Sequence, residues 1–207
     1  GCPMRRFFEG MRSNVPIEGN PIFTLDNRGK KGVTINTSDE KGAEIVREMI
    51  KNADVFLTNV RPQSLESAKL DYESLSKINP KLVYCSVSGF GQIGENATKG
   101  AFDVTVQAFS GLMSVTGETD GDPIKCGVPV GDFCAGLYAA YAILARLMQA
   151  RQTGLGAHID CSMLGSLIGI SALQTSEFFG TQNTPQALGS AHPRNAPYQA
   201  FRSKDEY

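Results

Sequence analysis

Histidine is scarce in this chain and cysteine is thinly spread. The 207 residues include two histidines and five cysteines. The cysteines are Cys2, Cys85, Cys126, Cys134 and Cys161, and no two have CxxC spacing. That pattern argues against a structural zinc site and against a disulfide framework. It points to a reducing, cytoplasmic setting with no bound metal. An excess of charge of one sign is missing as well: 20 Lys and Arg face 21 Asp and Glu, for a formal charge of -1. Such a balance supplies no electrostatic footprint for nucleic acid or an anionic membrane. No apolar run reaches the ~18 charge-free residues that span a bilayer, and the first residues show no basic start followed by an apolar stretch. There is no internal repeat and no low-complexity tract.

What is present fits a globular domain. Apolar residues make up 41% and charged residues 20%, near the averages for such domains. A chain of this length buries roughly 70% of its unfolded surface. It opens on Gly1-Cys2-Pro3 and closes on Arg202 to Tyr207 in what reads as a strand–turn unit, so it is expected to be a piece of a longer protein.

Residues 1–31 read as polar and irregular. Gly32–Asn36 alternates with period two and predicts a short strand. Thr37-Ser38-Asp39-Glu40 predicts a helix start with a hydroxyl N-cap, continued at helical spacing by Ala43, Val46, Met49 and Ile50. Asp54–Thr58 and Leu82–Val87 are short apolar runs that predict buried parallel strands. Helical stretches between them run from Pro62 to Ala68 and from Asp71 to Ile78. A βαβαβ order of this kind predicts an α/β architecture with a Rossmann-like parallel sheet and crossover helices. Further on, Phe102–Phe109 reads as a short helix. Phe133–Ala145 reads as a deeply buried helix, Ala157–Asp160 as a strand, and Met163–Phe179 as one long apolar helix. Residues 180–199 read as loop.

Ten of the 22 glycines fall between Gly89 and Gly136, where backbone is free to approach a ligand closely. Gly89-Phe90-Gly91-Gln92-Ile93-Gly94 matches GxGxxG after a predicted strand. No patterned helix follows it, however, so it reads as a glycine loop at a strand's carboxyl end rather than a dinucleotide fingerprint. Asp132 stands at the mouth of the apolar helix. It can serve as that helix's N-cap. It can also be a carboxylate held ionised by the helix dipole and free amides, able to attack an activated carbonyl. Asn59-Val60-Arg61-Pro62 reads as a strand-to-helix turn with Pro at the first helical position, or as a phosphate or ribose contact. His158, His192, Cys134, Cys161 and Glu177 read as structural or surface residues.

Together these segments resemble the family III CoA-transferases, the group that includes the formyl-CoA:oxalate and carnitine CoA-transferases. The shared markers run in family order: Asp26–Lys31 with Val33–Asn36; Ala53–Phe56 with Asn59–Pro62; Asn79–Gly91; Ser110–Met113 with Thr116-Gly117; Gly131-Asp132 with Gly136; and Arg151–Gly156 leading into His158–Asp160. The resemblance implies that Asp132 is the catalytic aspartate. It implies CoA contacts at Ile35, Asn36, Thr37 and Ser38, at Asn59, Val60 and Arg61, and at Gly100, Ala101, Phe102 and Asp103. It further implies an interlocked homodimer, of which residues 1–207 would supply part of the large, CoA-binding domain; a first strand and helix, a small domain and a C-terminal part would be missing. Coenzyme A would be a moiety of the substrate, with no cofactor bound permanently, and the partners would be an acyl-CoA and a carboxylic acid. Ser67 stands where some members carry a basic residue for CoA phosphate. The related 2-methylacyl-CoA racemases place a His just before the acid that aligns with Asp103. Phe102 holds that position here and cannot move a proton. A racemase or a non-catalytic CoA-binding module are the alternative expectations.

Overall fold

The computed structural model describes residues 20–205. The irregular reading of residues 1–19, Cys2 included, falls outside them. The chain divides into two compact units, Gly1–Val46 and Arg47–Tyr207.

In the first unit the described residues form α1 (Pro21–Asp26) and the start of α2 (Glu40–Ile50), a helix that crosses the unit boundary. α1 corrects the irregular reading of this stretch. Its local chemistry is that of a helix start: Asn20 Oδ1 accepts the Phe23 amide at 3.1 Å, and Pro21 presets φ at the first helical position. The strand expected at Gly32–Asn36 does not form, and Val33 is 69% exposed. Alternation specifies a strand only where a neighbour takes up its backbone hydrogen bonds, and no strand pairs with this segment among the described residues. α2 is capped by Asp39, whose Oδ1 accepts the Lys41 amide at 3.0 Å, and not by the Thr37 hydroxyl. A Cβ on Gly42 would fall 1.9 Å from the Asn36 carbonyl oxygen, so the tight entry into α2 demands glycine there.

The second unit is built on a parallel sheet of β1 (Val55–Thr58), β2 (Val83–Ser88) and β3 (Ala157–Ser162), in that spatial order. Thr58 lies opposite Ser86, and Ser86 opposite Asp160. Between β1 and β2 run α3 (Pro62–Ser67) and α4 (Tyr72–Ile78). Between β2 and β3 run α5 (Asp103–Phe109), a 3-10 turn (Leu112–Val115) and α6 (Val130–Thr153). After β3 come α7 (Met163–Ile170) and α8 (Ala172–Thr181). This is the α/β fold that the alternation of strand and helix signals predicts. Side chains along central β2 separate by period two. Cys85 joins a core with Val106, Ala135, Cys161, Met163 and Leu167. Tyr84 faces the other layer, where its ring meets those of Phe56, Tyr72 and His158. The Tyr84 hydroxyl donates to the Leu70 carbonyl at 3.0 Å, and burial pushes its pKa up to about 12.

Two apolar segments depart from expectation. α6 is 24 residues long, but its buried residues are only Gly131, Ala135, Ala139 and Ala150. Phe133, Leu137, Tyr141, Leu144 and Met148 are each at least 58% exposed. The deeply buried reading of Phe133–Ala145 is therefore wrong: small residues one turn apart seat the helix on the sheet, and the large ones face away. By length and composition alone α6 could cross a membrane, although it carries Asp132, Arg146 and Arg151. The long helix expected over Met163–Phe179 breaks at Ser171, whose amide is shared between the Leu167 and Ile168 carbonyls at 3.1 and 3.2 Å. Such three-centre bonding tightens a helix terminus.

Leu167 has no exposed surface and sits in the cluster that joins α6, α7 and the sheet. Leu167→Ala should cost about 2–5 kcal/mol of unfolding free energy, read as a lower denaturant midpoint at unchanged slope.

Candidate active site

The first turn of an α-helix has amides with no partner inside the helix. α6 begins after Pro129, which offers no capping side chain. The acceptor comes instead from the start of α5. Asp103 Oδ1 accepts the Gly131 amide at 2.7 Å and the Asp132 amide at 3.4 Å. The N-cap reading of Asp132 is thereby corrected: it occupies the third helical position, and Asp103 does the capping from 29 residues upstream. Gly131 lets Asp103 come this close. A Cβ there would stand 3.0 Å from Asp103 Oδ1 and 3.1 Å from Val106 Cγ2.

The electrostatics of Asp132 change accordingly. The expectation was a carboxylate held ionised by free amides, but those amides are already taken. Partial burial first, and the Asp103 charge second, push the Asp132 carboxyl above its ordinary pKa of 3.8. The group is solvent-accessible at the wall of a cleft, so the effect is a bias toward the protonated form and not a lock.

That cleft has a volume of about 280 Å³ and opens at the carboxyl ends of β1 and β2, where open parallel sheets take their ligands. It brings together Asp132, Asn59, Val60, Arg61, Gly100 and Ala101. The turn after β1 is held by Thr58, whose Oγ1 accepts the Val60 amide at 3.1 Å, and Pro62 starts α3 as the sequence predicts. The Arg61 guanidinium lies over Gly100, 3.8 Å from where a Cβ on that glycine would be. Phe102 and Asp103 do not line the cleft. Phe102 is 82% exposed, and Asp103 faces α6. Ile35, Asn36, Thr37 and Ser38 lie in the first unit, where Asn36 Oδ1 accepts the Ser38 amide at 3.2 Å. Ser67 donates its hydroxyl to Gln63 within α3. Gly89 and Gln92, in the glycine loop that leaves the carboxyl end of β2, also line the cleft; the sequence reading missed Lys99 and Met163, which line it too. Lys99 had a signal, being a cation beside Gly100 in the glycine-rich stretch.

The Gly89–Gly94 loop opens no helix, and the next helix begins at Asp103. Gly91 and Gly94 have φ of 96° and 99°, which only glycine adopts cheaply. The Gly91 amide donates to Ser88 Oγ at 2.9 Å and the Gln92 amide to Asp160 Oδ2 at 2.7 Å. These bonds fix the loop. They also occupy both of those amides. Away from the cleft, His158 stacks on Tyr72 and bonds Ser86 Oγ at 3.0 Å, with burial lowering its pKa. Glu177 pairs with Arg194 at 2.9 Å, and His192 stacks on Tyr198. Cys161 is buried, and its thiol donates to the Ala135 carbonyl at 3.4 Å.

The family model of CoA-transferase family III matches residues 4–207. This chain belongs to that family. It is 40% identical over 185 residues to succinyl-CoA:glutarate CoA-transferase of Mus musculus, covering 89% of this chain and 42% of that protein. It is 38% identical to acetyl-CoA:oxalate CoA-transferase of Acetobacter aceti over 89% of this chain and 48% of that one. In three dimensions it matches the crystal structure of a CAIB/BAIF family protein from Brucella suis, with a TM-score of 0.79 and 40% identity over 84% of this chain and 46% of that one. The chain spans about half the length of the curated relatives it matches.

A carboxyl group with a raised folded-state pKa contributes stability below its unfolded pKa, and that contribution is lost as the pH rises through the folded value. Ionised Asp132 therefore works against the fold at neutral pH. Asp132→Asn should raise Tm at pH 7, and the advantage should fade as the pH drops well below 3.8, where Asp132 is protonated in both states.

Proposed function

We propose that this protein moves CoA between an acyl-CoA thioester and a free carboxylic acid, with Asp132 as the covalent nucleophile. The observation that carries this reading is the placement of a carboxylate on the wall of a cleft formed by Asn59–Arg61 and Gly100-Ala101. Support comes from family membership and from relatives named as CoA-transferases.

In this mechanism one Asp132 oxygen attacks the donor thioester carbonyl. The C–S bond breaks, leaving a mixed anhydride and CoA thiolate. The thiolate then attacks the aspartyl carbonyl; a C–O bond breaks, the donor acid leaves as its carboxylate, and an aspartyl-CoA thioester remains. An acceptor carboxylate attacks that thioester and expels the thiolate. The thiolate takes the acceptor's acyl carbon and frees Asp132. No proton is gained or lost over the cycle. The demands on the protein are therefore orientation, water exclusion and hydrogen bonds to developing oxyanions. Arg61 and Lys99 are the cations suited to the phosphates of CoA. The racemase alternative lacks support at Phe102, which carries no transferable proton and is 82% exposed. The reading includes a cytoplasmic setting and a homodimer. The uncovered apolar side of α6 supports the homodimer.

Asp132→Ala in the whole protein should abolish transfer while leaving CoA binding in place, as measured by calorimetry with CoA. Hydroxylamine added during turnover should convert the activated Asp132 side-chain carbonyl of the wild type to a hydroxamate, expelling CoA thiolate. Turnover by the variant, or capture at another residue, would reject the nucleophile assignment. Arg61→Ala should raise KM for the acyl-CoA about 10–100-fold with kcat largely kept, the size expected for losing a hydrogen bond to a charged group. A fall in kcat with unchanged KM would remove Arg61 from the phosphate site.

A further inference from the structure

Gln107, on α5, has no exposed surface. Burying a primary amide is costly unless both of its ends are bonded, and here both are. Its Oε1 accepts the Cys126 amide at 2.8 Å, and its Nε2 donates to Asp103 Oδ2 at 2.5 Å. The other Asp103 oxygen holds the Gly131 and Asp132 amides. Asp103 and Gln107 stand one helical turn apart, on the same face of α5. Between them they grip both feet of the segment 126–131 that delivers the chain to Asp132. Bonding inside that segment is local: the Val130 amide meets the Val128 carbonyl at 2.8 Å. The segment carries Gly127 and Pro129 and has no regular structure before Val130. Its position is set at its ends.

We propose that Gln107 is a positioning residue for Asp132, acting through Asp103 to hold the 126–131 arch and the first turn of α6 in the register that aims the Asp132 carboxylate into the cleft. This rests on the reading of Asp132 as nucleophile. Shape alone does not require an amide at this position. Leucine has nearly the same volume. What leucine cannot do is join Cys126 to Asp103. The titratable groups nearest the relay are Asp103 on the same helix, Cys126 and Lys125 at the foot of the arch, where the Lys125 ammonium donates to the Cys126 carbonyl at 3.2 Å, and Asp132 and Cys134 on α6, both of which sense the Asp103 charge. α7 and the 3-10 turn, which also pack on α5, carry no titratable side chain.

The test uses the whole protein, with an acyl-CoA donor and acid acceptor that the wild type turns over and with Asp132→Ala as the inactive control. Gln107→Leu should lower kcat about 10–100-fold, the loss expected from misplacing a reacting group by about 1 Å, with KM for the acyl-CoA nearly unchanged. Gln107→Glu should behave differently. A protonated glutamic acid reproduces both bonds, and the neighbouring Asp103 charge favours keeping that proton. This variant should retain turnover near neutral pH and lose it along an alkaline limb that the wild type lacks. Hydrogen exchange supplies a readout independent of activity. Gln107→Leu should release the Cys126 amide, which it contacts, and also the Gly131 amide, which it reaches only through Asp103. Wild-type kcat in Gln107→Leu, or release of Cys126 with Gly131 still protected, would overturn the proposal. If Gln107→Leu does not fold, the alkaline limb of Gln107→Glu decides, and its absence overturns the relay. If the wild type transfers no CoA, the nucleophile reading fails, while the exchange pattern still decides whether the relay exists.

Discussion

The amides that open α6 cannot be satisfied by the helix itself, and the Asp103 carboxylate takes two of them. Much else follows from that cross-link. It brings the N-terminal ends of α5 and α6 together and leaves little room for a side chain at position 131. It also stations one negative charge beside another. Partial burial first, and the charge of that same Asp103 second, raise the energy of ionised Asp132. On the proposed mechanism, a carboxylate that is less content in the resting protein gives up less on becoming an acyl derivative. The local arrangement gives away some stability where chemistry is expected, the pattern that stability–activity trade-offs produce.

The skeleton of this fold is legible in the sequence because each strand and crossover helix announces itself locally. Val55–Thr58 and Val83–Ser88 are compact apolar runs. Pro62 and Asp71 mark the entries to α3 and α4, and Gly154 ends α6 in a left-handed conformation. The errors share a cause. Gly32–Asn36 alternates correctly but has no described partner to pair with, so its pattern remains without a strand. Phe133–Ala145 lacks charge, and charge-free was read as buried, whereas only the alanine side of the helix touches the sheet. At Ser171 a helical pattern continues in sequence while the hydrogen bonds do not.

The candidate site shows a similar division. Asp132, Arg61 and Gly100 could be found from the order of short motifs, and the cleft unites them. The role of Asp103 could not, because a cap supplied across 28 residues leaves no trace in spacing. Gln107 was harder still. A glutamine in a short helix reads as surface, and only the fold reveals that it is enclosed and bonded at both ends.

The exposed side of α6 bears on the chemistry at its tip. Phe133 through Met148 form a greasy stripe along a rod whose first turn presents Asp132. A side-chain tip on an α-helix sits roughly 5–6 Å from the axis, so rolling the rod by about 10° sweeps its carboxylate through close to 1 Å. On the proposed role of Asp132, whatever settles against that stripe also bears on the angle at which the carboxylate faces the cleft. Docking along the flank and aim at the tip become one mechanical variable.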